Sequence, residues 1–427
     1  MFIGLVENGI LAVRAITTRW YIECISWYAL HLCPRAQGGF AVDFNLSSDQ
    51  KKLVAAFRAF GTETFTPDHV SQWCRDQGLP DDVMKRFADT YFKSVDKRLS
   101  SVAGHTLLDQ ALIIEELSRC AGATLPFQND LFNLQIVDAL SAAGNLDPVL
   151  DEYRSTGRLM FALAISEPEG GSDVMSMKTN TKTLDGKIVL NGRKSYVNNG
   201  EYAPYIVVAA IDADAENDDP YPALALWLVP RNLKGIAAVP IDKIGQDMLP
   251  FASLSFQDVE LKPEYRISSD QGDFRRLFQM LEYGRVLLCA SSLGMAQAAM
   301  EDACAHARSR KAFGVQVGRF QQIETMLTDM ELRLTNMRAI LYRAAWAVDE
   351  GDPDRRLAVS LMKRYIPKTA VEVASDGMQI LGGLGYTESS RTCRVWRDCR
   401  GNQIAEGTDQ IMVYIAAPLI AEKYRDF

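Results

Sequence analysis

Histidine is scarce: the 427 residues contain four, His31, His69, His105 and His306, none spaced from another as paired metal ligands are. That disfavours a histidine-built metal centre or a Ser-His-Asp triad. The eight cysteines, Cys24, Cys33, Cys74, Cys120, Cys289, Cys304, Cys393 and Cys399, are scattered without a CxxC pair, so neither a zinc knuckle nor a disulfide framework is indicated, and they read as reduced cytoplasmic thiols. Excess positive charge is also missing. A net charge of −8 argues against a general nucleic-acid binder, which usually carries a basic face. The run "CISWYALHLC" is too short to cross a bilayer, and no small-residue cleavage site follows a basic start, so no membrane partner is expected. There is no P-loop, and "GGLGY" follows a helical pattern without GxGxxG spacing, leaving a Rossmann nucleotide site unsupported.

What is present is a chain long enough for two or three domains. Residues 1–42 stand apart as an extension; "VDFNLSSDQKKLVAAF" from Val42 looks like the start of a domain, and a GTG codon at Val42 would make residues 1–41 foreign to the natural chain. From 43 to 158 apolar residues recur at three- and four-residue steps, as in "DDVMKRFADTYFKSV" and "LLDQALIIEELSRC", which predicts helices. Between 159 and 268 the period becomes that of strands: "KTLDGKIVLNG" carries an Asp185-Gly186 hairpin signal, and "YIVVAAID", "ALALWLVP" and "SLSFQDVEL" are β runs. The acidic "DADAENDDPYP" reads as a solvated loop. From 269 to 427 the helical period returns in four long blocks, 272–309, 319–350, 354–381 and 408–424, which favour a bundle. The order is α, β, α.

Single motifs decide little. "EPEGGSD" and "GGLGY" are compatible with plain turns, Arg310 with a solvated arginine, and Glu406 with a charge favoured by a helix N-terminus. Taken together and in register, "FALAISEPEGGSDV", "LNGRKSYVNNG", "RKAFG", "MQILGGLGY" and "AEGTDQI" resemble the acyl-CoA dehydrogenase family over residues 43–427, nearest to its bacterial crotonobetainyl-CoA dehydrogenase-like branch.

The resemblance implies an α+β multidomain fold: an N-terminal helical domain, a central β-barrel domain and a C-terminal four-helix bundle. It implies an enzyme that binds FAD and an acyl-CoA thioester, interconverts acyl-CoA and 2,3-enoyl-CoA, exchanges electrons with an electron-transferring flavoprotein, and forms a homotetramer whose subunits complete one another's flavin sites. For the flavin it implies Leu163, Ile165, Ser166, Gly171 and Ser172, with Thr408 and Gln410. Tyr196 and Asn198 stand where the family commonly has Trp and Ser or Thr; a Tyr ring still covers a flavin face and an Asn amide still donates. Arg310, Phe313, Gln321, Gln379 and Gly383 match positions that reach a neighbouring subunit's FAD pyrophosphate and adenosine. Ser172, Glu282, Arg285 and Gly407 match contacts to the thioester ligand.

Glu406 matches the catalytic base of the short- and medium-chain members. A carboxylate suits removal of an α-proton because it has no proton to lose first and because burial raises its proton affinity. The branch that carries its base on an earlier helix has it immediately before an arginine; here "LEYGRVLL" has Gly284 before Arg285. Ala405 replaces a bulky aromatic residue, which enlarges the expected pocket toward branched, aromatic or polar acyl groups. Two other classes fit the same motifs less well: an oxygen-using oxidase or monooxygenase, and a non-catalytic, nucleic-acid-associated relative.

Overall fold

The computed structural model describes residues 45–95, 103–140, 146–158, 160–215, 223–267 and 273–425, so the expectations for residues 1–42 lie outside it. Residues 48–427 cluster as one unit.

Six helices come first: α1 (Ser48–Thr64), α2 (Pro67–Arg75), α3 (Asp81–Ser94), α4 (Leu107–Ala121), α5 (Phe127–Leu140) and α6 (Asp147–Thr156). Thr66 and Thr106 start α2 and α4 by accepting the N–H of His69 and Asp109, the bond that an N-cap hydroxyl supplies. Aromatic residues fill the space between them, with the Phe87 and Phe127 rings stacked at 3.9 Å. Helix α5 is buried on nearly every side.

A seven-stranded sheet follows, made of β1 (Ala162–Ala164), β2 (Asn180–Leu184), β3 (Lys187–Asn198), β4 (Tyr205–Asp212), β5 (Leu224–Pro230), β6 (Ile236–Ile241) and β7 (Phe251–Leu261). The β2–β3 turn has φ of 51° at Asp185 and 77° at Gly186, the left-handed pair that the Asp-Gly signal anticipates. Strand β4 pairs antiparallel with β5 and parallel with both β1 and β2, while β2, β3, β7 and β6 run on antiparallel. The sheet encloses its own core of Leu190, Val208, Trp227, Leu254 and Phe256. Of the acidic loop, residues 216–222 lie outside the described residues.

The four long helical blocks are α7 (Asp273–Ser309), α8 (Gln321–Asp349), α9 (Arg355–Leu381) and, last, α11 (Asp409–Lys423), with a small hairpin of β8 (Lys311–Ala312) and β9 (Val315–Gln316) after α7. A shorter helix that periodicity did not indicate, α10 (Arg391–Asn402), lies between α9 and α11. Thr392, Arg394, Asp398 and Asn402 on it are buried. Arg394 Nε donates to Gly122 O at 3.1 Å, and the Asp398 carboxylate accepts the N–H groups of Thr124 and Gln246. Helix α10 therefore joins the first helical region, the sheet region and the final helices, and its C-terminus opens directly into the candidate site.

Candidate active site

Between the end of α10 and the start of α11 the chain turns through Glu406 at φ 56° and Gly407 at φ 92°. Two successive left-handed residues make a tight turn, and a non-glycine there is held at a conformational cost. The turn drives the Glu406 side chain inward, where Oε2 is buried with no hydrogen-bond partner among the described residues. Room for it exists because α7 has a glycine opposite: a Cβ on Gly284 would lie 3.0 Å from Glu406 Oε2 and 3.1 Å from Phe132 Cζ. The earlier-helix base position and Glu406 thus converge on one small space.

The loop is braced on every side. Arg285 Nε donates to Glu406 O at 2.9 Å, and Lys363 Nζ donates to Asn402 O at 2.8 Å and Gly407 O at 3.1 Å. Thr408 caps α11 by accepting the N–H of Ile411 at 3.2 Å, while Asp409 receives Arg364 and Gln403. Burial pushes the Glu406 carboxyl above the ordinary carboxylate range, opposed by the charges of Arg285 and Lys363. A buried, unbonded carboxylate of raised proton affinity is suited to accept a proton from carbon.

Glu406 opens into a cavity of about 570 Å³, within the usual size of a small-molecule site. Its walls include Leu163, Ile165 and Ser166 from the exit of β1, Gly171 and Ser172 from the next turn, and Tyr196 and Asn198 from the end of β3. Arg285, Gly407, Thr408 and Ala405 complete the side around Glu406. Tyr196 sits at φ 59° in a register irregularity between Lys194 and Val197 and is 61% exposed; a bulge of this kind re-aims a side chain. Asn198 Oδ1 is buried without a hydrogen-bond partner among the described residues. An exposed aromatic face, apolar strand residues and an orphan amide oxygen are what a planar ring with a polar edge requires, so the residues present fit a flavin.

Below this wall lies a buried ion pair. Lys194 Nζ donates to Ile165 O and to Glu167 Oε1, both at 2.9 Å, and Glu167 also accepts the N–H groups of Lys178 and Thr179. Burial lowers Lys194 to about 8, with Glu167 opposing the shift. The pair fixes Ile165 and Ser166 from behind.

Other expected residues are elsewhere. Arg310, Gln321, Gln379 and Gly383 are exposed and outside the cavity lining. Phe313, at the tip of the β8–β9 hairpin with φ 50°, is 97% exposed. Gln410 is exposed on the first turn of α11. Glu282 is buried outside the lining, with Oε2 3.4 Å from Arg355. Sequence reasoning did not single out Lys363, Lys194 or the lining aromatics Phe132, Phe161 and Phe278. Of these only Lys194 left a trace, as a lysine on an inward-facing register of β3.

Residues 162–259 match the family description "Acyl-CoA dehydrogenase, middle domain", and residues 273–420 match "Acyl-CoA dehydrogenase, C-terminal domain". The chain is 32% identical over 388 residues to the probable acyl-CoA dehydrogenase YdiO of Escherichia coli K12, covering 90% of this chain and 100% of that protein. An acyl-CoA dehydrogenase structure from Slackia heliotrinireducens is 48% identical with a TM-score of 0.81, covering 91% of this chain and 100% of the other. A chain from a study of the electron transferring flavoprotein of Acidaminococcus fermentans and of flavin-based electron bifurcation is 25% identical, with a TM-score of 0.74 over 90% of this chain and 100% of its own. Among the described residues no helix is long and apolar enough to cross a membrane.

Proposed function

This chain belongs to the acyl-CoA dehydrogenase family and is an FAD-dependent oxidoreductase, and from that premise we propose that Glu406 takes the α-proton of a bound acyl-CoA thioester in the conversion to its 2,3-enoyl-CoA. The observation that carries the assignment is the buried, unpartnered Glu406 Oε2 facing the cavity across from Gly284. Bound FAD supplies the hydride acceptor for the β-carbon. Tyr196, Asn198, Leu163, Ile165 and Ser166 are proposed to hold its ring, and the Glu406 N–H to donate to the thioester carbonyl, where it stabilises negative charge as the α-proton leaves. Arg285 and Gly407 shape the thioester side of the cavity. Apolar walls around Glu406 exclude water, which keeps its proton affinity high and leaves the acidified α-carbon as the donor within reach.

Ala405 lines the cavity beside the base, and the space it leaves supports acyl groups with branched, aromatic or polar substituents. Exposed Arg310, Phe313, Gln321, Gln379 and Gly383 support a homotetramer in which they complete a neighbour's flavin site. An electron-transferring flavoprotein is the proposed redox partner, supported by the relation to the Acidaminococcus fermentans chain.

The test is anaerobic titration of the yellow protein with a panel of acyl-CoAs. Flavin bleaching in the wild type and a fall in its rate of about a hundred- to ten-thousandfold in Glu406→Gln are expected, since removing a catalytic acid–base group forfeits on the order of 10²–10⁴. Equal bleaching in both proteins would move the base to another residue. Rapid reoxidation of the bleached protein by air would favour oxidase chemistry over a protein electron acceptor.

A further inference from the structure

Lys363 is wholly buried on α9, and its ammonium reaches Asn402 O and Gly407 O, 2.8 and 3.1 Å away. Asn402 is the last residue of α10, a position whose carbonyl has no partner further along the helix, and Gly407 directly follows Glu406. The two acceptors therefore bracket the turn that carries the base. Arg285, from α7, takes one of the carbonyls between them, that of Glu406 itself.

Among the described residues neither Lys363 nor Arg285 has a carboxylate within ion-pair distance. Buried cations without a paired carboxylate are expensive, several kcal/mol each on general grounds. The charged or titratable groups that face Lys363 are Arg285 and Cys289 on α7, Glu406 on the turn, and Asp409 on α11, and Asp409 is already engaged by Arg364. Asp409 and ionised Glu406 both favour the charged form of Lys363, and Glu406 favours that of Arg285 as well. A lysine needed only to fill the core would be better replaced by an apolar residue of equal length.

We infer that Lys363 is a positioning residue for Glu406, its ammonium tying the Asn402 and Gly407 carbonyls together so that the carboxylate is held at the cavity, while its charge favours the ionised base. The inference rests on the reading of Glu406 as the base. Lys363 touches neither thioester nor flavin and acts through the turn.

The experiment uses the full-length, FAD-loaded protein as Lys363→Met, Lys363→Gln and Lys363→Arg, with wild type and Glu406→Gln beside them. The readouts are exchange of the α-protons of butyryl-CoA, hexanoyl-CoA and isobutyryl-CoA with deuterated water as a function of pH, and steady-state kcat and KM. Expected for Lys363→Met is a 10- to 100-fold slower exchange, the size of loss that small misplacement of a reacting group produces. Its acid limb should move up by about one pH unit, the shift expected on losing a nearby opposite charge, with kcat falling more than KM changes. Lys363→Gln, which keeps a donor but not the charge, should recover rate with the limb still displaced, and Lys363→Arg should restore the limb toward wild type.

A slower Lys363→Met with an unmoved limb overturns the inference, because it makes Lys363 a packing residue. So does wild-type exchange in Lys363→Met, or failure of all three variants to yield folded yellow protein. Exchange in Glu406→Gln as fast as in wild type, or none in wild type with any of the three thioesters, overturns the base assignment itself, a result separable from any Lys363 outcome.

Discussion

At the scale of single residues, Gly284 and Glu406 compete for one volume. Replacing Gly284 with alanine places a methyl group 3.0 Å from the Glu406 carboxylate, closer than ordinary van der Waals contact, so the base must shift. Glycine within a helix also sacrifices up to about 1 kcal/mol against alanine. Gly284→Ala is therefore expected to lower kcat/KM by about tenfold or more, with the thermal midpoint unchanged or slightly raised. Stopped-flow bleaching and thermal denaturation check the two signs separately; a variant that loses stability and activity together would mean that the clash is absorbed by the fold.

Glu406 carries a pH signature of its own. Burial raises its folded-state pKa above the value in the unfolded chain, so the native state binds a proton more tightly than the unfolded state does, and stability falls as pH rises from the unfolded value through the folded one. Even with Arg285 and Lys363 nearby, ionising Glu406 costs more in the folded chain than in the unfolded one. Wild-type stability relative to Glu406→Gln, which has no proton to lose there, should therefore fall between the ordinary carboxylate range and neutral pH. Chemical denaturation at pH 4 and pH 7 measures this. In the same direction, the acid limb of turnover belongs above the ordinary carboxylate range, since the base must be ionised to act.

At the scale of elements, the Lys194–Glu167 pair shows how the sheet serves the cavity. Removing one partner of a buried pair leaves the other uncompensated, a loss of about 3–5 kcal/mol where nothing else binds it; Glu167 keeps two backbone N–H donors, so Lys194→Met should fall near or below the lower end. Ile165 O loses its donor as well, so flavin retention on dilution should weaken along with stability. Unaltered retention in a destabilised Lys194→Met would detach the pair from the site.

Periodicity made the long helices and most strands legible, and the Asp-Gly turn settled the β2–β3 hairpin. It missed α10, whose Arg394 and Asp398 are buried against backbone groups of distant segments, partners that an apolar repeat does not record. It did not resolve α5 as a helix of its own, since an element buried on nearly all sides has no polar face to set a period. The Glu406-Gly407 turn was readable as a local motif. Its supports were not: the acceptors of Lys363 are carbonyls 39 and 44 residues away, and backbone atoms leave no mark on composition.

At the scale of the whole molecule, Phe313 projects from the β8–β9 hairpin almost fully into solvent, where a bulky aromatic side chain has no use in the lone chain. If it covers a neighbour's flavin, Phe313→Ala leaves the thermal stability of the FAD-free protein within about 0.5 kcal/mol, as for surface substitutions, while accelerating FAD loss from the assembled protein. Size-exclusion chromatography with absorbance at the flavin band follows both. Equal FAD retention in mutant and wild type would place Phe313 outside the cofactor site.

Asp398 gathers the N–H groups of Thr124 and Gln246 onto one carboxylate carried by α10. Each of those donors belongs to a different stretch of chain, so the helix leading to the Glu406 turn is pinned by the first helical region and by the sheet region together. This makes the junction a constraint on recombination. A hybrid that takes its sheet from one relative and its helices from another inherits a working turn only if the backbone at 124 and 246 still converges on position 398, and hybrids built across that junction should yield yellow protein with a misplaced base sooner than unfolded chain.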